Sequence, residues 1–174
     1  MAEQFNDIIK NNDFKQLSSS KIIYNKTFSD QVITSHTLYC FILSGLTFID
    51  CKFINLDCQE IELESCKFIR CEFLNFTCDH CMIDTCKFFM CTTSNSNLRG
   101  TEVIDSDITS CSFNSGPFLG IDFIRCKLTQ PTFNDKITGL SSLILLDCEF
   151  CNSKKCITIE RSYDIFKIFD ELEN

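Results

Sequence analysis

Cysteine and histidine are the residues in this chain whose types could do chemistry, as metal ligands or as nucleophile and base. The sequence contains 14 Cys and 2 His. One stretch, Cys78-Asp79-His80-Cys81, places several such side chains next to each other. A metal site requires its ligands to converge on one point. This stretch can therefore bind a metal only if the fold turns its side chains the same way.

The fold is indicated by a five-residue repeat. At every fifth position from Ile23 to Leu143 the residue is apolar in 23 of 25 cases, and ten of these are Phe. The residue two places earlier is mostly small and often Cys, whereas the residues between are mostly polar. A period of five matches neither a helix nor an isolated strand. It fits one side of a square coil with a turn at each corner, and no insertion interrupts the pattern before Leu143.

Four such sides make a coil of 20 residues, and the sequence also repeats on that scale. Cysteines and phenylalanines recur at intervals of twenty, in the sets Cys51, Cys71, Cys91, Cys111 and Phe28, Phe48, Phe68, Phe88. Coils stacked at about 4.8 Å would align each set into a column. We therefore predict an all-β solenoid, a quadrilateral β-helix of about six to seven 20-residue coils.

Runs such as Cys51-Lys52-Phe53-Ile54-Asn55 and Cys71-Glu72-Phe73-Leu74-Asn75 resemble the repeats of pentapeptide-repeat proteins. The resemblance covers about 70% of the chain, from Ile23 to Leu143, and it implies the right-handed β-helix of that family. Several members, the Qnr, MfpA and McbG proteins, are associated with protecting or inhibiting DNA gyrase. Qnr proteins carry loops that project from the coil, so the uninterrupted register here is more similar to the loop-free MfpA.

Both open ends of a solenoid need caps. We predict a helical cap in residues 1–20, the β-helix in 21–160, and a C-terminal helix in 161–174 that begins at an N-cap Ser162. The apolar side chains of that last helix are Ile165, Phe166, Ile168, Phe169 and Leu172. They either cover the last coil or form a homodimer contact, as the resemblance implies for this end of the chain.

The register argues against catalysis. It turns Cys78 and Cys81 inward but places His80 at an outer corner, so the three cannot share a metal. We expect reduced, buried cysteines, no metal and no cofactor, because free Cys packs as a small apolar residue. The sequence favours a binding module over an enzyme, and an enzyme with an unrecognised site is the least favoured alternative.

One face of the predicted coil is acidic. It carries six carboxylates against Arg125, a net charge of −5 of the chain's −8, from Glu62, Glu64, Asp84, Glu102, Asp105 and Asp122. This acidic wall either keeps the protein soluble or occupies a basic DNA-binding groove on another protein. The resemblance implies DNA gyrase or topoisomerase IV as that protein.

A second surface is apolar and outward. It consists of Ile49, Ile69 and Phe89 in one column, with Ile54 and Leu74 on the adjacent side. Such a strip marks a partner or homodimer surface, unless the terminal segments cover it. Binding to this apolar strip would make the chain a general interaction scaffold.

The charge and the ends of the chain limit partners and location. A net charge of −8 argues against direct binding to nucleic acid or to anionic membranes. The segment Met1–Asp7 lacks the basic and apolar regions of a secretory signal. We therefore expect a cytoplasmic protein.

Overall fold

The computed structural model describes Phe5 and residues 21–34, 37–134, 137–139, 142–162 and 165–173. Short parallel strands stack in four rows, which form the four faces of a β-solenoid of about six turns. The predicted fold is confirmed. Of the predicted cap in residues 1–20, only Phe5 lies within the described residues.

Faces 1 and 2 carry the longest rows. Face 1 consists of β1 (Lys21–Tyr24), β5 (Phe41–Ser44), β9 (Glu62–Glu64), β13 (Met82–Asp84), β17 (Glu102–Ile104), β21 (Asp122–Ile124) and the first half of β25 (Ile144–Cys151). Face 2 consists of β2 (Thr27–Ser29), β6 (Thr47–Ile49), β10 (Lys67–Ile69), β14 (Lys87–Phe89), β18 (Asp107–Thr109), β22 (Lys127–Thr129) and the second half of β25. Strand β25 turns the corner between them and joins the two rows into one sheet.

Faces 3 and 4 complete each coil. Face 3 consists of β3 (Val32–Thr34), β7 (Lys52–Ile54), β11 (Glu72–Leu74), β15 (Thr92–Ser94), β19 (Ser112–Phe113) and β23 (Thr132–Phe133). Face 4 consists of β4 (Thr37–Tyr39), β8 (Asp57–Gln59), β12 (Thr77–Asp79) and β16 (Asn97–Arg99), followed by the pair β20 (Gly116–Pro117) and β24 (Ile137–Thr138).

The corners explain why the repeat has five residues. Most sides end in a residue with a left-handed backbone, for example Asn55 with φ 54° and Asn75 with φ 51°. This conformation turns the chain and still lets the corner N–H continue the ladder, since Asn75 N–H donates to the Ser94 carbonyl at 3.0 Å. Asn, Asp and Gly tolerate such backbone angles best, and these types are frequent at the corners.

The small inward residues do more than fill space. The Cys71 thiol lies 3.5 Å from the Phe48 carbonyl oxygen and 3.6 Å from that of Ile69, and its single S–H proton is shared between these two acceptors. Where Ser96 replaces cysteine, its single O–H proton is shared between the equivalent carbonyls of Phe73 and Ser94. The small inward residue therefore supplies a side-chain hydrogen-bond donor to backbone carbonyl oxygens near the corner. Buried carbonyl groups need such partners.

Stacked phenylalanine rings fill the lower half of the core. Phe28, Phe48, Phe68 and Phe88 form a continuous stack with ring centroids 4.9–5.2 Å apart. Phe5 packs against the side of this stack at its first two rings, with its ring edge-on to Phe28 and Phe48 at 5.1 and 5.2 Å. Its backbone N–H donates to the buried Gln31 side chain, so Phe5 belongs to the core.

The register changes in the last coils, which corrects the expectation of an uninterrupted repeat. Gly116 pairs with Ile137, a spacing of 21 residues, and Phe123 pairs with Leu145, a spacing of 22. One extra residue therefore enters the coil before Ile137 and another before Leu145. Leu143 is buried as its apolar character requires, but Leu145 takes the central position of the strand.

The β-helix ends in an antiparallel hairpin. Strand β26 (Cys156–Ser162) pairs antiparallel with β25, and the turn brings Cys151 opposite Cys156, where they form a disulfide. The expectation that all cysteines are reduced is wrong for this pair, because the hairpin places the two residues directly opposite each other with their Cα atoms 4.0 Å apart. The remaining twelve cysteines are free.

Helix α1 (Ile165–Glu173) follows the hairpin. Ser162 is the last residue of β26 and pairs with Leu145, so it does not occupy the predicted N-cap position. Ile165, Ile168 and Leu172 are buried in the core. Phe169 contacts the rings of Phe133 and Phe150. The side chain of Phe166 lies outside the described residues. In the single chain, helix α1 therefore covers the last coil.

Candidate functional site

The carboxylates of the acidic wall lie on face 1 and its corner, in two columns beside the inward residues. One column reads, in successive coils, Glu62, Met82, Glu102 and Asp122. The other reads Glu64, Asp84, Ile104 and Ile124. Met82 is exposed within the first column. The wall is therefore a mixed surface, because Met82 interrupts the first column and Ile104 and Ile124 replace carboxylates in the upper coils of the second.

Asp105 differs from the other members of the wall. Arg125, one coil above at the same corner, donates two hydrogen bonds of 2.7 Å to its carboxylate. These bonds hold the pKa of Asp105 below its usual value, so the pair is ionised and internally neutral. The sequence spacing of twenty could have indicated this pairing.

Asp122 and Glu102 repel each other. They are paired neighbours on adjacent strands, and Asp122 is half-buried. Burial, followed by the charge of Glu102, raises the pKa of Asp122. Two adjacent carboxylates without a shared cation gain from a positively charged partner, because it relieves this repulsion.

The cations of face 2 are largely engaged by carboxylates on the same face. Arg70 forms hydrogen bonds of 2.7 and 2.6 Å to Asp50, and the Lys127 ammonium lies 2.9 Å from Glu149. Lys87 lies 3.4 Å from Asp107. Face 2 therefore offers little unpaired positive charge, whereas face 1 keeps most of its negative charge.

The apolar strip is divided by ion pairs. Ile49, Ile69 and Phe89 stack at the edge of face 2, and Ile54 and Leu74 stack at the far edge of face 3. The chain between the two columns carries the Asp50–Arg70 pair and the Lys52–Glu72 pair, the latter at 2.9 Å. The strip therefore consists of two separate columns instead of one patch.

Two adjacent exposed apolar side chains lie at one end of the first column. Phe89 is 43% exposed and the adjacent corner residue Met90 is 50% exposed. Ile49 and Ile69 are half-buried. Sequence analysis did not select Met90, although its position at a corner, after an outward Phe89, could have indicated its exposure.

The Cys78–Cys81 stretch does not form a metal site. Cys78 and Cys81 are buried, whereas His80 is exposed, with its Nδ1 2.9 Å from Asp79 Oδ1. Side-chain hydrogen bonds with Cys58 and Cys81, together with burial, raise the pKa of Cys78, so its thiol stays protonated. Among the described residues, no group of three or more His, Cys, Asp or Glu side chains could hold a metal ion. His36 lies outside them.

No helix within the described residues is long and apolar enough to cross a membrane.

No family model and no curated protein matches this sequence. The chain is similar to the solved structure of HetL, a pentapeptide repeat protein involved in heterocyst differentiation regulation from the cyanobacterium Nostoc sp. strain PCC 7120. The identity is 9% and the TM-score 0.26, over 75% of this chain and 68% of that one. Full-length QnrB1, a plasmid-mediated fluoroquinolone resistance protein, is 13% identical with a TM-score of 0.25. This similarity covers 71% of this chain and 93% of QnrB1. The resemblance to pentapeptide-repeat proteins is one of fold.

Proposed function

We propose that this chain is a non-catalytic, cytoplasmic protein-binding module whose acidic wall imitates DNA. In this proposal the wall occupies the basic DNA-binding groove of DNA gyrase or topoisomerase IV and protects that enzyme from a toxin or drug. The twelve free cysteines fit a reducing compartment.

The observation that supports this proposal is the uncompensated charge of the wall. Among the described side chains, Arg125 is the cation that pairs with a wall carboxylate, and it pairs with Asp105. Glu62, Glu102 and Asp122 point outward from one rigid column. A DNA-binding groove is lined by cations that normally neutralise phosphates, and electrostatic complementarity of this kind directs association.

The test compares two variants with the same change in net charge. The wall variant combines Glu62→Gln, Glu102→Gln and Asp122→Asn, and the control combines Asp30→Asn, Glu160→Gln and Glu171→Gln. We expect the wall variant to bind gyrase at least about tenfold more weakly, a loss of about 1.4 kcal/mol, and the control to bind as the unmodified protein does. Binding is measured by surface plasmon resonance with and without competing DNA.

Two results would contradict the proposal. The unmodified protein at micromolar concentration could leave gyrase supercoiling and its sensitivity to poisons unchanged. Alternatively, both variants could lose affinity equally, which would show a general effect of net charge.

A homodimer formed at the C-terminal end is part of the same proposal. Ile165, Ile168 and Leu172 are buried against the chain's own core, so a second copy would contact the outer side of helix α1. Strand β26 pairs only with β25 among the described strands, and its outer edge can add backbone hydrogen bonds between two copies. Light scattering on the sample used for binding measures its molecular mass. A mass equal to that of a single chain would contradict the proposed homodimer.

The exposed pair Phe89 and Met90 favours a second candidate function, a scaffold for an unrelated protein. Large apolar side chains at this exposure are typical of contact surfaces when they are adjacent. The double variant Ile69→Asp, Phe89→Asp should then lose a partner that the unmodified chain captures, while circular dichroism shows an intact β-helix. If the variant captures the same partner at the same level, this surface is not the binding site.

A further inference from the structure

The interior of the solenoid is not filled evenly. Face 3 contributes the stacked pair Phe53 and Phe73, with centroids 4.8 Å apart, and the stacked pair Phe113 and Phe133, at 4.7 Å. Thr93 stands between the two pairs, paired to Phe73 on one side and Phe113 on the other. One column of five aromatic positions therefore lacks its middle ring.

The missing ring leaves accessible space inside the protein. Phe88 and Thr93 occupy inward positions yet are only half-buried, and Ile83 and Leu98 in the same coil are 8% and 9% exposed. Inward residues in other coils, such as Phe48 and Leu128, are fully buried at 0%. Since the coils above and below shield these side chains from bulk solvent, their exposed surface faces an internal cavity.

The cavity follows the axis of the solenoid from Leu38 to Phe123, and its volume of about 100 Å³ is shared along this length, with a wholly apolar surface. The Thr93 hydroxyl oxygen is itself buried and makes no hydrogen bond within the described part of the chain. It therefore turns away from the space that its methyl group lines. Water is not stabilised in such a cavity because it finds no polar partner, whereas a dry apolar cavity of about 150 Å³ is large enough to hold benzene or xenon.

We propose that the part of this cavity beside Ile83, Phe88, Thr93 and Leu98 is an internal binding site for small apolar molecules without hydrogen-bonding groups, of about the size of a xenon atom. The driving force is the removal of the ligand's apolar surface from water and the recovery of contacts that the lining side chains lack. The site is independent of the acidic wall, because every group that forms it points inward.

Xenon is the probe for this site, since its size suits the cavity and it has no polar atoms. Under xenon pressure, we expect saturable chemical-shift changes in the methyl groups of Ile83, Leu98 and Ile108, and no change in the exposed Met82.

The matched variants change only the middle of the aromatic column. Thr93→Phe should fill the cavity and abolish the xenon shifts, and Thr93→Val, which keeps the volume, should retain them. If Thr93→Phe does not fold, Thr93→Leu fills part of the space and should reduce the shifts. The proposal fails if the unmodified protein shows no saturable shift at these methyl groups, or if Thr93→Phe binds xenon as the unmodified protein does.

Discussion

Replacing Phe48 by alanine is expected to lower the free energy of unfolding by about 3–5 kcal/mol. Phe48 is fully buried and its ring contacts those of Phe5, Phe28, Phe53 and Phe68. Alanine removes all these contacts at once and leaves a cavity that the rigid backbone ladder on both sides cannot close. Chemical denaturation followed by circular dichroism measures the loss.

Phe89→Ala is the matched control for Phe48→Ala. Phe89 is the same residue type in the same row of strands, but it points outward and is 43% exposed. Its replacement should cost less than about 1 kcal/mol, as at most surface positions. Equal losses in the two variants would contradict the assignment of the stack as the centre of the core.

Replacing Gly116 by alanine is expected to be at least as damaging as the loss of Phe48. The backbone of Gly116 has φ +128°, and a Cβ atom at this position would lie 1.8 Å from the Ser96 carbonyl oxygen. Backbone cannot move aside as a flexible side chain can. The strain of this backbone region alone costs about 1–3 kcal/mol for other residues, and the overlap adds to it. We expect the variant to expose its last coils or not to accumulate as folded protein.

Gly120→Ala separates the overlap from a general effect of positive φ. Gly120 has φ +66°, and the nearest atom to its added Cβ is 3.9 Å away. This change should cost about 1 kcal/mol, the ordinary penalty of a left-handed residue with a side chain. Hydrogen exchange of the amides in β25 reports both variants, and a Gly116→Ala protein protected as well as Gly120→Ala would contradict the steric argument.

The sequence predicted the solenoid well because every level of the pattern agrees. Apolar central residues, small inward residues and corner types all repeat with the same period. A wrong interpretation of one position therefore does not change the predicted fold. The last coils were predicted less well, since Leu143 and Leu145 are both apolar and either fits the central position. Only the pairing of Phe123 with Leu145 shows that two residues have been added.

The surface was harder to predict than the core. The register of the repeat assigned the carboxylates to one face, but it did not show that Arg125 neutralises Asp105 or that ion pairs separate Ile69 from Leu74. Both kinds of ion pair depend on which side chains of successive coils lie next to each other. Thr93 was visible as one of two polar residues among the central positions, yet the cavity beside it depends on whether the neighbouring coils close over the gap.

The four-sided coil also determines which insertions and deletions this protein can accept during evolution. Removing five residues keeps every inward residue inward, but it rotates all later residues by a quarter turn, so that Glu102 and Asp122 would leave the face of Glu62. Removing twenty shortens the rod by about 4.8 Å and keeps each remaining residue on its own face. Lineages in which the acidic wall is under selection should therefore differ in length by whole coils, whereas those in which it is neutral can differ by single repeats.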